Sequence, residues 1–447
     1  MMKYTLTTSS LLALASSAAV LAQDNNCYEE KGNWYCSEVQ AISYSNFGTP
    51  GQYHKVTNMG SNGECGFGPE SYSGGMAPMD GEVSWHFRGP IQLKQFAFYT
   101  AGSDNSKRSI QPNRHQRRYA HKHLYHSGAP PDEDDQDEHK EHKRAVGDWV
   151  TVTINGEVVS WVNQYGGGAA AATPAPTAGG NSGQRVAPGS ANAGYSAPAP
   201  AASMNAGAGN WGRQAYYNAE QGTAEGLVFL NNHGGDGSGV FDTTWGMSLS
   251  YASADNSAGS ASPVTLADTL IPDNSEFVIM TDKPCSDGSC GVVRDGTVAH
   301  HGFDGASKLF LLEFGMPLSG NTGFNGDMPA AWILNAQIPR TIQYGKCSCW
   351  DSGCGEFDIF EVLDPGNQKC KSTWHGINAK GDSNWFQRPI SGTKKVAVVF
   401  DGSASTAHII VLPDDFSFDS TISQATIAAS LNSISDPAKN IRIALDT

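Results

Sequence analysis

From about residue 211 onward the chain is cut into short apolar runs, few of them long enough for a helix. They read GLVFLNN, TTWGMSLSYA, EFVIMTD, KLFLLEFGMPL, AAWILNA, EFDIFEVL, KKVAVVFD, HIIVLP and IRIAL, with Gly, Asp, Asn and Pro between them. Aromatic and β-branched runs of this length, bounded by turn formers, are strands. Many strands with almost no helix must pair into sheets, and two sheets must bury their apolar faces against each other, so the expected fold is an all-β jelly-roll sandwich. Only SQATIAASLNSI has a helical spacing of apolar residues.

Composition divides the rest of the chain. Residues 1–22 carry one Lys and the apolar run Leu11 to Leu21, with small residues before Gln23, which predicts a cleaved secretory signal. Residues 23–102 form an N-terminal Gly-rich β region ending in EVSWHFRGPIQLKQFAFYT, whose alternation predicts strands. Residues 103–144 are crowded with His, Lys, Arg, Asp and Glu and are expected to be disordered. Three dibasic pairs there, Lys107-Arg108, Arg117-Arg118 and Lys143-Arg144, suit a processing protease, with the bond after Arg144 preferred. In residues 145–165, VTVTINGEVVSWVN places Asn155-Gly156 between two strand-like runs, a hairpin signal. Residues 166–209 are an Ala/Gly/Pro/Ser linker, and 210–447 form the sandwich domain.

A formal charge of −15 argues against nucleic acid as a partner, and beyond the leader no stretch is apolar for long enough to make the membrane one. An acidic secreted chain with 10 Trp and 15 Tyr suits a neutral polysaccharide, which binds to aromatic faces. Nine cysteines in an oxidising compartment predict disulfides rather than zinc. Cys285 and Cys290 are expected to close a small loop, Cys27 and Cys36 are neighbours, and Cys347, Cys349, Cys354 and Cys370 cluster near one stretch. The odd cysteine is expected to stay free or to form a covalent link to another chain.

That stretch is Cys354-Gly355-Glu356-Phe357-Asp358-Ile359-Phe360-Glu361-Val362-Leu363. Three acids project from a strand that otherwise demands burial, and carboxylates are costly there unless they are used. Cleavage of a glycosidic bond needs such a set. One carboxylate attacks the anomeric carbon, and a second delivers a proton to the leaving oxygen and later activates water. A third acid between them can hold their proton affinities apart. Glu356 and Asp358 share a face of a strand, whereas Glu361 falls on the other; a β-bulge near Ile359-Phe360 would restore it.

GEFDIFEVL resembles the active-site strand of glycoside hydrolase family 16, the laminarinase-like, concanavalin-like jelly rolls. MPAAWIL at 328–334 resembles that family's preceding strand, and Thr373-Trp374-His375-Gly376 resembles the next one. Across nearly the whole chain, NNHGGDGSGVFDTTWGMSLSYAS and HFRGPIQLKQFAFY resemble the fungal target-of-SBF-like cell-wall proteins. The resemblance implies a secreted, wall-located enzyme acting on β-1,3-glucan with retention. It assigns Glu356 as nucleophile, Glu361 as acid/base and Asp358 as the residue that tunes them, with Trp332, Trp350, Trp374 and His375 lining the sugar subsites. Trp374 and His375 are adjacent, so only one can face the cleft, and His375 is preferred. Two departures stand out: Trp350 lies six residues before the first Glu where family 16 has a Trp five before, and the N-terminal strands come in a different order, as if permuted. No cofactor and no metal are expected. The alternatives are a transglycosylase with the same site and a non-catalytic wall protein that binds glucan.

Overall fold

In a computed structural model, the chain is described at residues 27–102, 149–154, 157–162, 201–207, 209–286 and 288–445. Two large sheets face each other, as the short punctuated runs predict. One holds, in order, Ser250–Ala252, Leu227–Asn231, Glu276–Thr281, Val83–Arg88, Ala330–Asn335, Glu356–Glu361 and Lys369–His375. The other runs through Asn210–Asn218, Gln92–Gly102, Lys308–Gly315, Lys394–Asp401, Thr406–Leu412 and Ala41–Ser45 to Asn440–Ala444. Every pairing between these strands is antiparallel except that of Asn440–Ala444 with Ala41–Ser45.

Strands from residues 23–102 and from residues 210–447 are interleaved in both sheets. Val83–Arg88 pairs with Glu276–Thr281 on one side and Ala330–Asn335 on the other. Gln92–Gly102 lies between Asn210–Asn218 and Lys308–Gly315. The two segments therefore share a core, in which Trp85, Phe87, Phe96, Phe229, Phe277, Phe310 and Phe357 are all buried. Phe87 stacks on Phe277 with ring centroids 4.7 Å apart, which joins residues of both segments in a single contact. Burying each such ring contributes roughly 1.5–3 kcal/mol, so neither segment keeps its apolar face covered without the other.

The sequence's one strong helical run forms Gln424–Asn432. Ser423 starts it, its side chain accepting from the Thr426 N–H at 3.0 Å. Ile427, Ala428 and Leu431 cover the outer face of the second sheet over Leu309, Leu311 and Val399. Trp149–Ile154 pairs antiparallel with Glu157–Val162, while Asn155-Gly156, read as the turn of this hairpin, lies outside the described residues. TTWGMSLSYA does not form one strand. Asp242 accepts from the Thr244 and Trp245 amides and Gly246 takes a φ of +73°, so the chain turns before Ser250–Ala252. No helix among the described residues is long and apolar enough to cross a membrane.

All nine cysteines are accounted for. Cys285–Cys290 closes the small loop expected, and the neighbours Cys27 and Cys36 close another. Cys349–Cys354 closes a third, and Cys65–Cys347 joins the N-terminal segment to the loop before the acidic strand. Cys370 is the free one and is fully buried in the core, with burial pushing its thiol up to about 12. Of the two outcomes expected for the odd cysteine, free or linked to another chain, the structure has it free, and Cys370 has neither exposure nor thiolate character.

Candidate active site

Alternation along Glu356–Glu361 turns Phe357 into the core and Glu356 and Asp358 onto the open face of the first sheet. The register with Ala330–Asn335 then slips. Asp358 faces Trp332 and Phe360 faces Ala331, which leaves Ile359 without a partner. On the other side Asp358 faces Thr373 and Glu361 faces Lys371, so Ile359 and Phe360 together stand against Ser372 alone. This is the bulge that the acid spacing demands, and it returns Glu361 to the face of the other two acids. Ile359 and Phe360 are both buried in the core, as two successive inward residues at a bulge should be.

Cross-strand register lays the open face out in rows. One row runs Glu276, Arg88, Ala330, Glu361, Lys371. The next runs Val278, His86, Trp332, Asp358, Thr373, and a third runs Ser84, Leu334, Glu356, His375. The strand Val83–Arg88 thus supplies Arg88 two strands away from Glu361, and its Nη2 reaches the Glu361 carboxylate at 3.6 Å. The Arg88 Nε–H donates to the Met328 carbonyl at 2.9 Å, and its guanidinium lies 5.9 Å from the centre of the Trp332 ring.

Each of the three acids has a distinct partner. Glu356 accepts a hydrogen bond from Trp350 Nε1–H. Asp358 pairs with His375 Nε2 at 3.0 Å, and Glu361 with Arg88. Burial and the Asp358 carboxylate push Glu356 up to about 8. Burial also raises Asp358 well above the carboxyl range and raises Glu361, with Arg88 opposing it in both cases. Three carboxyls crowded on one strand repel one another when ionised, so burial and proximity both favour the protonated form of the set.

The sequence-predicted lining residues separate. Trp350 is 43% exposed and stands beside His375, ring centroids 6.4 Å apart. Trp332 is on the site face but only 5% exposed, stacked on His86 and walled by Tyr53 and Leu334. Trp374 is placed in the core instead, its ring 5.0 Å from Phe47 and 6.2 Å from Phe357. Its subsite assignment is corrected by the parity of the strand: His375 faces the groove, so its neighbour faces inward. Arg88, Glu276 and Tyr53 were missed. The polar phase of EVSWHFRG, Ser84-His86-Arg88, carried a signal for the first of them.

Glu356, Asp358 and His375 offer oxygen and nitrogen atoms within 4.8 Å of one another, a spacing that could hold a metal ion. The direct His375–Asp358 pair already engages two of those ligand atoms. Cys285, Cys290 and His301 form a second such group, but its two sulfurs are bonded to each other and are not thiolate ligands.

Two family models match the chain: the C-terminal part of cell wall protein YJL171C/Tos1 over residues 209–430, and its N-terminal part over residues 40–101. A protein of Arthroderma benhamiae named probable circularly permuted 1,3-beta-glucanase is 43% identical over 92% of this chain and 93% of its own length. Proteins named probable circularly permuted 1,3-beta-glucanase TOS1 are 39% identical in Candida albicans, over 96% and 97% of the two chains, and 36% identical in Saccharomyces cerevisiae, over 94% and 96%. No solved structure matches the chain.

Proposed function

The chain belongs to the YJL171C/Tos1 family of cell wall proteins, and on that premise we propose that it is a secreted enzyme that cleaves β-1,3-glucan with retention of configuration. The observation that carries the reading is the bulged strand that sets Glu356, Asp358 and Glu361 on one open face. The names of its relatives support the substrate, and their description as circularly permuted agrees with strands of residues 23–102 entering the middle of both sheets.

Glu356 is the nucleophile: its carboxylate attacks the anomeric carbon and forms a glycosyl ester. Glu361 gives its proton to the departing glycosidic oxygen, then takes one from the water that breaks the ester. Asp358, held by His375, lies between them and keeps the two from ionising together. Burial raises Glu361, which suits it to hold the proton, and Arg88 opposes that rise and so eases the proton's release to the leaving oxygen. Trp350 anchors Glu356 and leaves its ring open to a sugar face.

The test is product analysis of purified protein on reduced β-1,3-gluco-oligosaccharides, beside Glu356→Gln and Glu361→Gln. Shorter products from wild type alone are expected, with either substitution lowering the rate by several orders of magnitude. Longer products would identify a transglycosylase using the same carboxylates. Binding without products in wild type would leave a glucan-binding wall protein and overturn the catalytic reading.

A further inference from the structure

The loop between Ala330–Asn335 and Glu356–Glu361 brings two aromatic residues to the open face, and one of them has no part in the chemistry above. Tyr344 is 63% exposed, yet its hydroxyl is 2.8 Å from both carboxylate oxygens of Glu276. Glu276 stands opposite Arg88 across the sheet, at the far end of the row that leads through Ala330 to Glu361. Tyr344 repeats what Trp350 does at the other side of the loop: its polar tip is fixed to a carboxylate of the sheet and its ring is left open. The loop that bears both is tied down twice. Cys65–Cys347 joins it to the N-terminal segment, and Ser352 Oγ exchanges hydrogen bonds with the His54 backbone N–H and C=O.

An exposed tyrosine normally swings freely in water. One whose hydroxyl is held by a partly buried carboxylate has its ring plane set before any ligand arrives, and so loses little entropy on stacking. We propose that Tyr344, oriented by Glu276, is a glucan-binding platform remote from the scissile bond; this rests on the reading that the groove holds β-1,3-glucan. Glu276 and Glu361 are three strands apart, about 14 Å at the usual strand spacing. That is more than one sugar ring, so the platform meets only chains long enough to cross the sheet from the acids to Tyr344. Its role is to select for length and to hold the polymer in place.

The experiment compares short and long reduced β-1,3-gluco-oligosaccharides on wild type, Tyr344→Ala and Tyr344→Phe, with Kd measured in the Glu356→Gln background and KM in the active one. Tyr344→Ala is expected to weaken the long ligand roughly tenfold, as loss of one aromatic stack does. The loss shrinks as the oligosaccharide shortens, and kcat falls less than KM rises. Tyr344→Phe keeps the ring and frees it from Glu276, so an intermediate loss of about two- to threefold is expected on the long ligand. Equal losses on short and long ligands, or none on either, would overturn the platform while leaving the glucanase reading intact. A wild type that neither binds nor cuts any of these oligosaccharides would overturn both.

Discussion

Glu356→Gln is expected to make the protein more stable while it abolishes cleavage, and the size of the gain can be worked from the site. Burial and the neighbouring Asp358 raise Glu356 from the ordinary carboxyl value near 4.5 to about 8. Below about pH 4.5 the folded and unfolded chains both hold this proton, and the group has no effect on stability. Between about 4.5 and 8 the folded chain keeps a proton that the unfolded chain has released. The folded state then binds more protons, so stability falls as pH rises, by about 1.4 kcal/mol per pH unit. Above about 8 both states are ionised and the full cost is present, with a ceiling of about 5 kcal/mol. Glu356 faces a groove open to water, which reduces the cost to about 2–3 kcal/mol.

A glutamine at 356 has the same shape, still accepts the Trp350 N–H, and carries no charge at any pH. The variant should therefore gain about 2–3 kcal/mol at pH 8, or roughly 3–5 °C in Tm for a fold of this size. At pH 4.5 it should match wild type. Scanning calorimetry of both proteins across pH 4–9 reads the difference directly. Equal stability at pH 8, or a gain that does not shrink towards pH 4.5, would refute the argument, because Glu356 would then ionise at no cost and the carboxyls would not share a proton.

Three further outcomes follow from the same geometry. Arg88→Met removes the cation 3.6 Å from Glu361, so the Glu361 carboxyl should titrate higher; the alkaline limb of kcat/KM should move up with it if Glu361 is the acid, and pH–rate profiles of the two proteins decide this. Trp374→Ala should cost about 3–5 kcal/mol in denaturant unfolding because the ring is core, whereas His375→Ala should cost less than about 1 kcal/mol and act on kcat through Asp358. A cut engineered after residue 144 should leave both pieces in one species on a non-reducing gel through Cys65–Cys347, and reduction should not separate them in native gel filtration, because each piece supplies strands to the middle of both sheets.

The acids, the bulge and the choice of His375 over Trp374 were legible because each depends on residues next to one another in the chain. Strand parity is a local property: once Glu356 faces the groove, Phe357 cannot, and a Glu five residues on demands one extra residue. Trp374 was misplaced where a chemical preference, tryptophan for sugar, was allowed to stand beside the parity that excluded it. Arg88 and Glu276 are different in kind. Their phase within EVSWHFRG and EFVIMTD shows that they leave the core, but not which strand stands beside them. Arg88 meets Met328 across 240 residues of chain, and no local pattern carries that distance.

In this chain the strand that delivers the cation to the acids precedes them with a charged segment, a hairpin and a linker between, yet it occupies the seat next to Ala330–Asn335. The sheet is indifferent to the order in which its strands are made, since hydrogen bonding and side-chain packing depend on neighbours in space alone. What the order does decide is which ends of the strands are joined. Here residues 27–102 precede the rest of the fold in the chain, and Cys65–Cys347 adds a covalent link to it, in the loop before the acidic strand. The loop that carries Tyr344 and Trp350 is thereby fastened to the segment that carries Arg88, so the groove and the cation beside Glu361 are held together by a covalent bond outside the sheets.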